Sequence, residues 1–178
     1  MADNRTAEQR HANMAAIHSA TTKPELKLRL ALWRLGFRYL VNENRLPGKP
    51  DIVLPKYRTA IFVHGCFWHG HKNCKNASTP KTNTEFWTAK ITRNQQRDQE
   101  VWRQLEAKGW YVIIVWECEL KKYRFEDTVN SVAAEIVRNG NTYQYLQAAR
   151  KKARALYREE QRTRKEREDA LKAELHSL

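Results

Sequence analysis

Residues 61–74 read Ile-Phe-Val-His-Gly-Cys-Phe-Trp-His-Gly-His-Lys-Asn-Cys. The stretch sets His64, His69 and His71 among Cys66, Cys74 and two adjacent aromatic rings, Phe67 and Trp68. Such a density of metal ligands and proton carriers points to a metal site joined to a catalytic one. Cys66, His71 and Cys74 follow the pattern Cys-x4-His-x2-Cys. Thiolate and imidazole are preferred donors of zinc, which takes four ligands tetrahedrally in structural sites. Cys118, in Val115-Trp-Glu-Cys118, supplies the fourth if the strand before it ends beside this loop. All three cysteines of the chain are then used. The binding energy becomes folding energy for a loop with few apolar residues of its own. The plainer alternative is two buried thiols and an unrelated histidine.

With His71 assigned to zinc, His64 and His69 remain as proton carriers or phosphate contacts. Asp51 follows the turn Pro47-Gly-Lys-Pro50 and opens an apolar run. A carboxylate so placed can hold Mg²⁺, which takes oxygen ligands and keeps its waters. A backbone carbonyl on the next strand, near Val63, would add a second oxygen. Glu25 and Asp98 are carboxylates that could stand behind the histidines, fixing tautomer and raising basicity. Taken singly, an Asp or a His is more simply a satisfied surface or core residue. The grouping beside a metal favours catalysis.

These residues need a scaffold, and the pattern predicts one. Thr21 or Thr22 caps a helix over residues 25–35, with Pro24 in its first turn. Strands follow at 37–41, 51–54 and 59–63, then an irregular loop over 65–83 and a helix over 84–108 that Gly109 ends. The continuous apolar run 110–116 reads as a strand covered on both faces. A helix from about 126 to 138 is expected to break at Asn139-Gly140-Asn141. The order α-β-β-β-α-β-α gives an α/β fold, a small mixed sheet flanked by helices. Residues 1–22 read as a flexible arm, 23–140 as the catalytic domain and 141–178 as a charged helical extension whose first turns dock on it.

Lys and Arg total 33 against 20 Asp and Glu, a formal net charge of +13. That balance points to a polyanion, most often nucleic acid. No apolar run long enough for a membrane span is present, and the N-terminus lacks the apolar segment of a signal peptide. A cytoplasmic protein, associated with the nucleoid, is expected.

The stretches Lys23-Pro-Glu25-Leu, Leu46-Pro-Gly-Lys-Pro-Asp51-Ile-Val, Ile61-Phe-Val-His64-Gly-Cys-Phe-Trp-His69-Gly-His71, Asn94-x-x-Arg97-Asp98 and Val115-Trp-Glu-Cys118 together resemble the very short patch repair (Vsr) DNA mismatch endonucleases. The resemblance covers about residues 1 to 140. It implies a fold of the type II restriction endonuclease class. It also implies Mg²⁺-dependent nicking of duplex DNA 5′ to the thymine of a T·G mismatch left by deamination of 5-methylcytosine. Carried onto this sequence, Asp51 and the Val63 carbonyl hold Mg²⁺, and His69 is the general base, supported by Asp98. His64, near Glu25, serves the phosphate or leaving group. Cys66, His71, Cys74 and Cys118 match the structural zinc ligands. The acidic-x-Lys triplet of the wider nuclease class is replaced here by Phe62-Val63-His64, as in the Vsr branch. The extension beyond about residue 142 has no counterpart in the family core. The expected partners are T·G duplex DNA, the MutL repair protein and a cognate cytosine-5 methyltransferase, with the enzyme itself a monomer.

By residue type alone Phe67 and Trp68 are more simply core aromatics, but their polar and histidine neighbours argue for a wedge. Apolar side chains pushed between base steps unstack them at a cost of a few kcal/mol per step. A weakly paired T·G step opens more cheaply. The resemblance places both rings in the DNA, and Met14 of the arm enters from the other groove, with Arg5, Arg10 and His11 helping to clamp. Two rival readings remain: a restriction endonuclease that cuts both strands of an unmodified site, and a non-catalytic zinc-stabilised DNA-binding module.

Overall fold

The structure is a computed structural model that describes residues 21–176 apart from 79 and 81, with side chains through residue 167. The expected N-terminal arm, including Met14, therefore lies outside the described residues.

Helix α1 (Lys23–Arg34) starts where the sequence places it. Thr22 is the N-cap: its Oγ1 accepts the Glu25 N–H (3.5 Å) and donates to Glu25 Oε1 (2.8 Å). This reciprocal pairing satisfies groups that a helix start leaves open. At the other end, Phe37 N–H donates to Leu32 O (3.0 Å). That bond closes the helix and takes Phe37 away from the sheet, so strand β1 is only Leu40–Val41 rather than the expected 37–41.

Strands β2 (Ile52–Leu54), β3 (Thr59–His64) and β4 (Tyr111–Trp116) complete, among the described residues, a sheet of order β1-β2-β3-β4. A single 3-10 turn, Pro55–Tyr57, joins β2 to β3, which pair antiparallel. β3 and β4 pair parallel, with Val63 opposite Val115 and His64 opposite Trp116. Parallel neighbours need a crossover, and helix α2 (Thr84–Ala107) supplies it. Trp110 drops out of the expected strand because its N–H donates to Leu105 O and so closes α2.

The pleat sorts side chains by period two. Ile61, Ile113 and Val115 face α1 and the last helix, α3 (Phe125–His176), and pack there on Leu28, Leu32 and Ile136. Ala60 and Phe62 face α2, packing with Leu105, Val101 and Trp102. β4 is thus covered on both sides, as its unbroken apolar run requires. His64, in phase with Phe62, lies on the α2 side. This is the α/β arrangement expected, with helices on both faces of a mixed sheet.

A further expectation fails. The helix does not stop at Arg138; α3 runs unbroken through Asn139-Gly140-Asn141. Gly140 is buried against the 3-10 turn, where an added Cβ would come within 2.6 Å of Tyr57 Cδ1. Asn139 Nδ2 donates to Thr59 Oγ1 (3.2 Å). The residues that resemble a stop signal are there because helix and sheet approach closely. That packing offsets the roughly 1 kcal/mol a helical glycine costs.

Candidate active site and metal centre

The antiparallel register pairs Ile52 with Ile61, which carries Asp51 to the C-terminal end of β3. Asp51 Oδ2 accepts the Val63 N–H at 2.7 Å. His64 closes the same strand. His69 reaches the site from the loop, which is tied down at several points. His69 N–H donates to Gly65 O (3.2 Å), Asn94 Nδ2 donates to Trp68 O (2.9 Å), and Gln95 Nε2 donates to His69 O and Gly70 O (3.3 Å each). Gly70 has a φ of +61°, and a Cβ there would lie 2.4 Å from Gln95 Nε2, so the loop needs glycine at this point. Its imidazole then falls face to face with that of His64, 3.7 Å between centroids at 17°.

His69 Nδ1 and Asp98 Oδ2 are 2.5 Å apart, a short bond between a loop and α2. A carboxylate acceptor at Nδ1 suits an imidazole that carries its proton on that nitrogen. Burial alone would raise the Asp98 carboxyl; the His69 hydrogen bond and charge hold it below its ordinary range. His64 is buried, and burial, then the charge of His69, push its imidazole down to about 4. It is therefore neutral near pH 7, and its buried Nδ1 has no hydrogen-bond partner among the described residues.

Asp51 shows the opposite shift. Burial raises its carboxyl to about 6, against the Val63 hydrogen bond, and the charge of Glu25 adds to the rise. A carboxylate whose negative charge is disfavoured by burial and by a nearby carboxylate is a fitting place for a cation, and oxygen donors suit Mg²⁺. The cleft, of about 330 Å³, is lined by Asp51, Val63, His64, His69, Asp98 and Lys49, among others. Val63 meets Asp51 through its N–H; a part for its carbonyl is not fixed by any contact here. His64, His69 and Asp98 also bring donor atoms within 4.8 Å of one another. His69 Nδ1 and Asp98 are committed to each other, so this trio is better read as a proton-handling group.

Glu25 differs from expectation. Its hydrogen bonds go to Thr22 and to Arg29 Nη2 (3.3 Å), not to His64. Arg29 was missed from the sequence. Its side chain is buried, and Nη2 also donates to Asp51 O (3.0 Å), so one guanidinium ties Glu25 to the backbone of Asp51. The i,i+4 spacing of Glu25 and Arg29 carried the signal.

Cys66, His71, Cys74 and Cys118 bring their donor atoms within 4.8 Å of one another. Cys66 Sγ and Cys118 Sγ each lie 3.4 Å from His71 Nδ1. A tetrahedral ion with bonds of about 2.3 Å to sulfur and about 2.0 Å to nitrogen holds its donors near such a separation. Burial pushes the Cys66 and Cys118 thiols up, so a cation is needed to make them good ligands. The surroundings support the cage. His71 stacks on Trp116 at 4.1 Å and 3°, and Cys66 N–H donates to Glu117 Oε1 (2.9 Å). The parallel β3–β4 pairing is what brings Cys118 to the loop. The donor set fits zinc.

Phe67 and Trp68 are half-buried and lie outside both core clusters. They meet edge to face at 5.2 Å, and each also packs on Trp87 of α2. Phe86 adjoins Trp87 and is 53% exposed, and Lys90 Nζ sits 5.3 Å from the Trp68 ring. The sequence reading missed Trp87, although Phe86-Trp87 repeats the Phe-Trp pair of the loop.

A family model described as "DNA mismatch endonuclease Vsr" matches residues 2–76. The chain is 49% identical over 137 residues to the type II nicking enzyme V.NmeAIP of Neisseria meningitidis, covering 76% of this chain and 97% of that protein. It is 44% identical over 121 residues to the DNA mismatch endonuclease Vsr of Escherichia coli, covering 68% of this chain and 77% of that one. Among solved structures it is similar to the catalytic domain of homing endonuclease I-Bth0305I. The TM-score is 0.46 at 18% identity, over 67% of this chain and 98% of that chain.

Proposed function

The chain belongs to the Vsr family of DNA endonucleases, and from that premise we propose that it nicks duplex DNA 5′ to the thymine of a T·G mismatch. The observation that carries the chemistry is the His69–Asp98 pair facing Asp51 across one cleft. Asp51, aided by the Val63 carbonyl, would hold Mg²⁺. Bound there, the ion would supply Lewis acidity toward the scissile phosphate. His69 Nε2 takes the proton of the attacking water, and Asp98 steadies the imidazolium that results. The water oxygen bonds to phosphorus, one phosphodiester P–O bond breaks, and the departing oxygen receives a proton. His64, neutral and with an open Nδ1, contacts the phosphate or the leaving oxygen. Glu25, held by Arg29, adds negative charge beside Asp51.

Phe67 and Trp68, backed by Trp87, form the wedge that senses how easily the mismatched step opens. Zinc in the Cys66–His71–Cys74–Cys118 cage holds their loop. The enzyme acts as a monomer, with MutL and a cognate cytosine-5 methyltransferase as functional partners.

The test is a nicking assay with Mg²⁺ on T·G and T·A duplexes in varied flanking sequence. One strand should be cut, at T·G only. Cutting of both strands in matched DNA would replace this reading with that of a restriction enzyme. Binding without cutting in any context would leave a DNA-binding module.

A further inference from the structure

We infer that the C-terminal half of α3 is a second DNA-binding surface, which grips the phosphate backbone of duplex flanking the cleavage site. The inference rests on the reading of the chain as a DNA enzyme.

Helix α3 begins beside the C-terminal ends of β3 and β4, where Thr128 Oγ1 donates to Glu119 O (3.1 Å). It crosses the sheet, passes Tyr57 at Gly140 and meets Arg58 at Tyr143, by the N-terminal end of β3. Leu146, Gln147 and Arg150 still border a cleft with Glu106 and Trp110, although every side chain from Gln144 to Arg162 is exposed. Beyond residue 150 the helix leaves the domain, and the 26 residues to His176 extend roughly 40 Å at 1.5 Å per residue.

This rod is not evenly charged. At 100° per residue, Arg150, Lys151, Arg154, Arg158, Arg162 and Lys165 fall within a sector of about 120°. Between residues 150 and 167 the carboxylates, Glu159, Glu160 and Glu166, fall outside it, as do Lys152, Arg164 and Arg167. Arg162 pairs with Glu166 at 3.6 Å. Arg150, Lys151, Arg154 and Arg158 have no carboxylate within ion-pairing distance among the described residues. A merely solvated helix gains by interleaving opposite charges at i,i+4; Arg162 and Glu166 do so here, whereas residues 150–158 carry five cations and no carboxylate. A row of cations about 22 Å long fits a polymer with one phosphate charge per ~1.7 Å of axis. The apolar residues Leu146, Ala149, Ala153 and Leu156 occupy another sector, so the basic face is not the margin of a helix–helix seam. The aligned region covers 97% of the Neisseria relative but 76% of this chain, so this chain carries length that the relative lacks.

Position dictates where the contact falls. The cleft lies at the C-terminal end of β3 and the rod leaves from the other end, a six-residue strand away, or about 20 Å. The contact is therefore on flanking duplex, about six base pairs or more from the cut.

The full chain and a triple variant, Arg150→Gln with Arg154→Gln and Arg158→Gln, test this on matched duplexes of about 12 and about 40 base pairs, by fluorescence anisotropy across salt. Glutamine keeps helix propensity, and circular dichroism checks that the helix persists. On the long duplex the slope of log K against log salt should become shallower by about 3, with affinity at ~0.1 M salt at least tenfold weaker. On the short duplex the two proteins should agree within about twofold. Identical slopes on the long duplex would overturn the inference, as would equal losses at both lengths. A concentration-dependent dimer in sedimentation that the variant loses would overturn it too, by assigning the face to a second copy. Matched DNA keeps this separate from mismatch chemistry. Failure of the full chain to nick T·G duplex, with the slope difference intact, removes the enzyme reading alone; nicking with identical slopes removes the tail contact alone.

Discussion

Asp51, half-buried, and His64, buried, line one cleft and have proton affinities displaced in opposite directions, and this makes the site readable by pH. Asp51 is ordinarily 3.8 and is raised to about 6. The folded state thus binds its proton more tightly than the unfolded chain, and stability is lost as pH rises from about 4 to 6. His64 is ordinarily 6.5 and is lowered to about 4. The unfolded chain binds that proton more tightly, and stability is gained as pH rises from about 4 to 6.5. The two slopes oppose each other in one window. Asp51→Asn keeps an acceptor for Val63 and removes the first slope. In Mg²⁺-free buffer it should melt higher than the parent at pH 7, by up to about 3 kcal/mol. The advantage should shrink to nothing near pH 4; a constant offset across pH would contradict the burial argument. His69→Ala should lower single-turnover nicking about 10² to 10⁴-fold while leaving T·G affinity within a few fold. A rate near that of the parent would remove His69 as the base. At this scale the sequence showed residue types well and partners poorly. Asp98 could be read as the support of a histidine, but Glu25 turned to Arg29, a pairing that depends on how α1 is buried.

At the scale of elements, the loop and the last helix were legible to different degrees. Three members of the Cys/His cluster lie within nine residues and are visible by their spacing; Cys118 needs β4 to lie parallel beside β3, which no local pattern states. Cys118→Ser should lower zinc content and melting temperature together, measured by elemental analysis and calorimetry. Full zinc occupancy in the folded variant would show that Cys118 is no ligand. In α3 the misleading residue was Gly140, because its neighbour Tyr57 is far away in sequence. Gly140→Ala should destabilise by about 1–3 kcal/mol through overpacking. Combined with Tyr57→Ala the same change should become neutral or stabilising by up to about 1 kcal/mol, since alanine favours helix. A change of equal size in both backgrounds would mean that the ring is not the obstacle.

For the whole molecule, the apolar runs made β2, β3 and β4 visible, and the charge of +13 pointed to a polyanion before any fold was known. What could not be read was the juxtaposition of α2 with the loop, which adds Trp87 to Phe67 and Trp68 and makes one aromatic surface from two distant dipeptides. Replacing Phe67 and Trp68 with Ala should weaken binding by about 1–3 kcal/mol per lost base stack and reduce the preference for T·G over T·A. Zinc content should be unchanged. An unaltered T·G to T·A affinity ratio, or a large fall in melting temperature, would argue against a wedge.

The cage residues Cys66 and His71 stand immediately on either side of Phe67, Trp68, His69 and Gly70. His69 and the two rings thus share the same two flanking cage residues, beside the bonds that Asn94 and Gln95 make to the loop. An oxidant that joins two of the thiols would loosen His69 from Asp98 and the rings from Trp87 in one event. The sheet, held by its own core, could outlast that event. Damage to these thiols would then disable the His69–Asp98 pair and the aromatic surface together rather than one without the other, a safe way to fail for a DNA endonuclease.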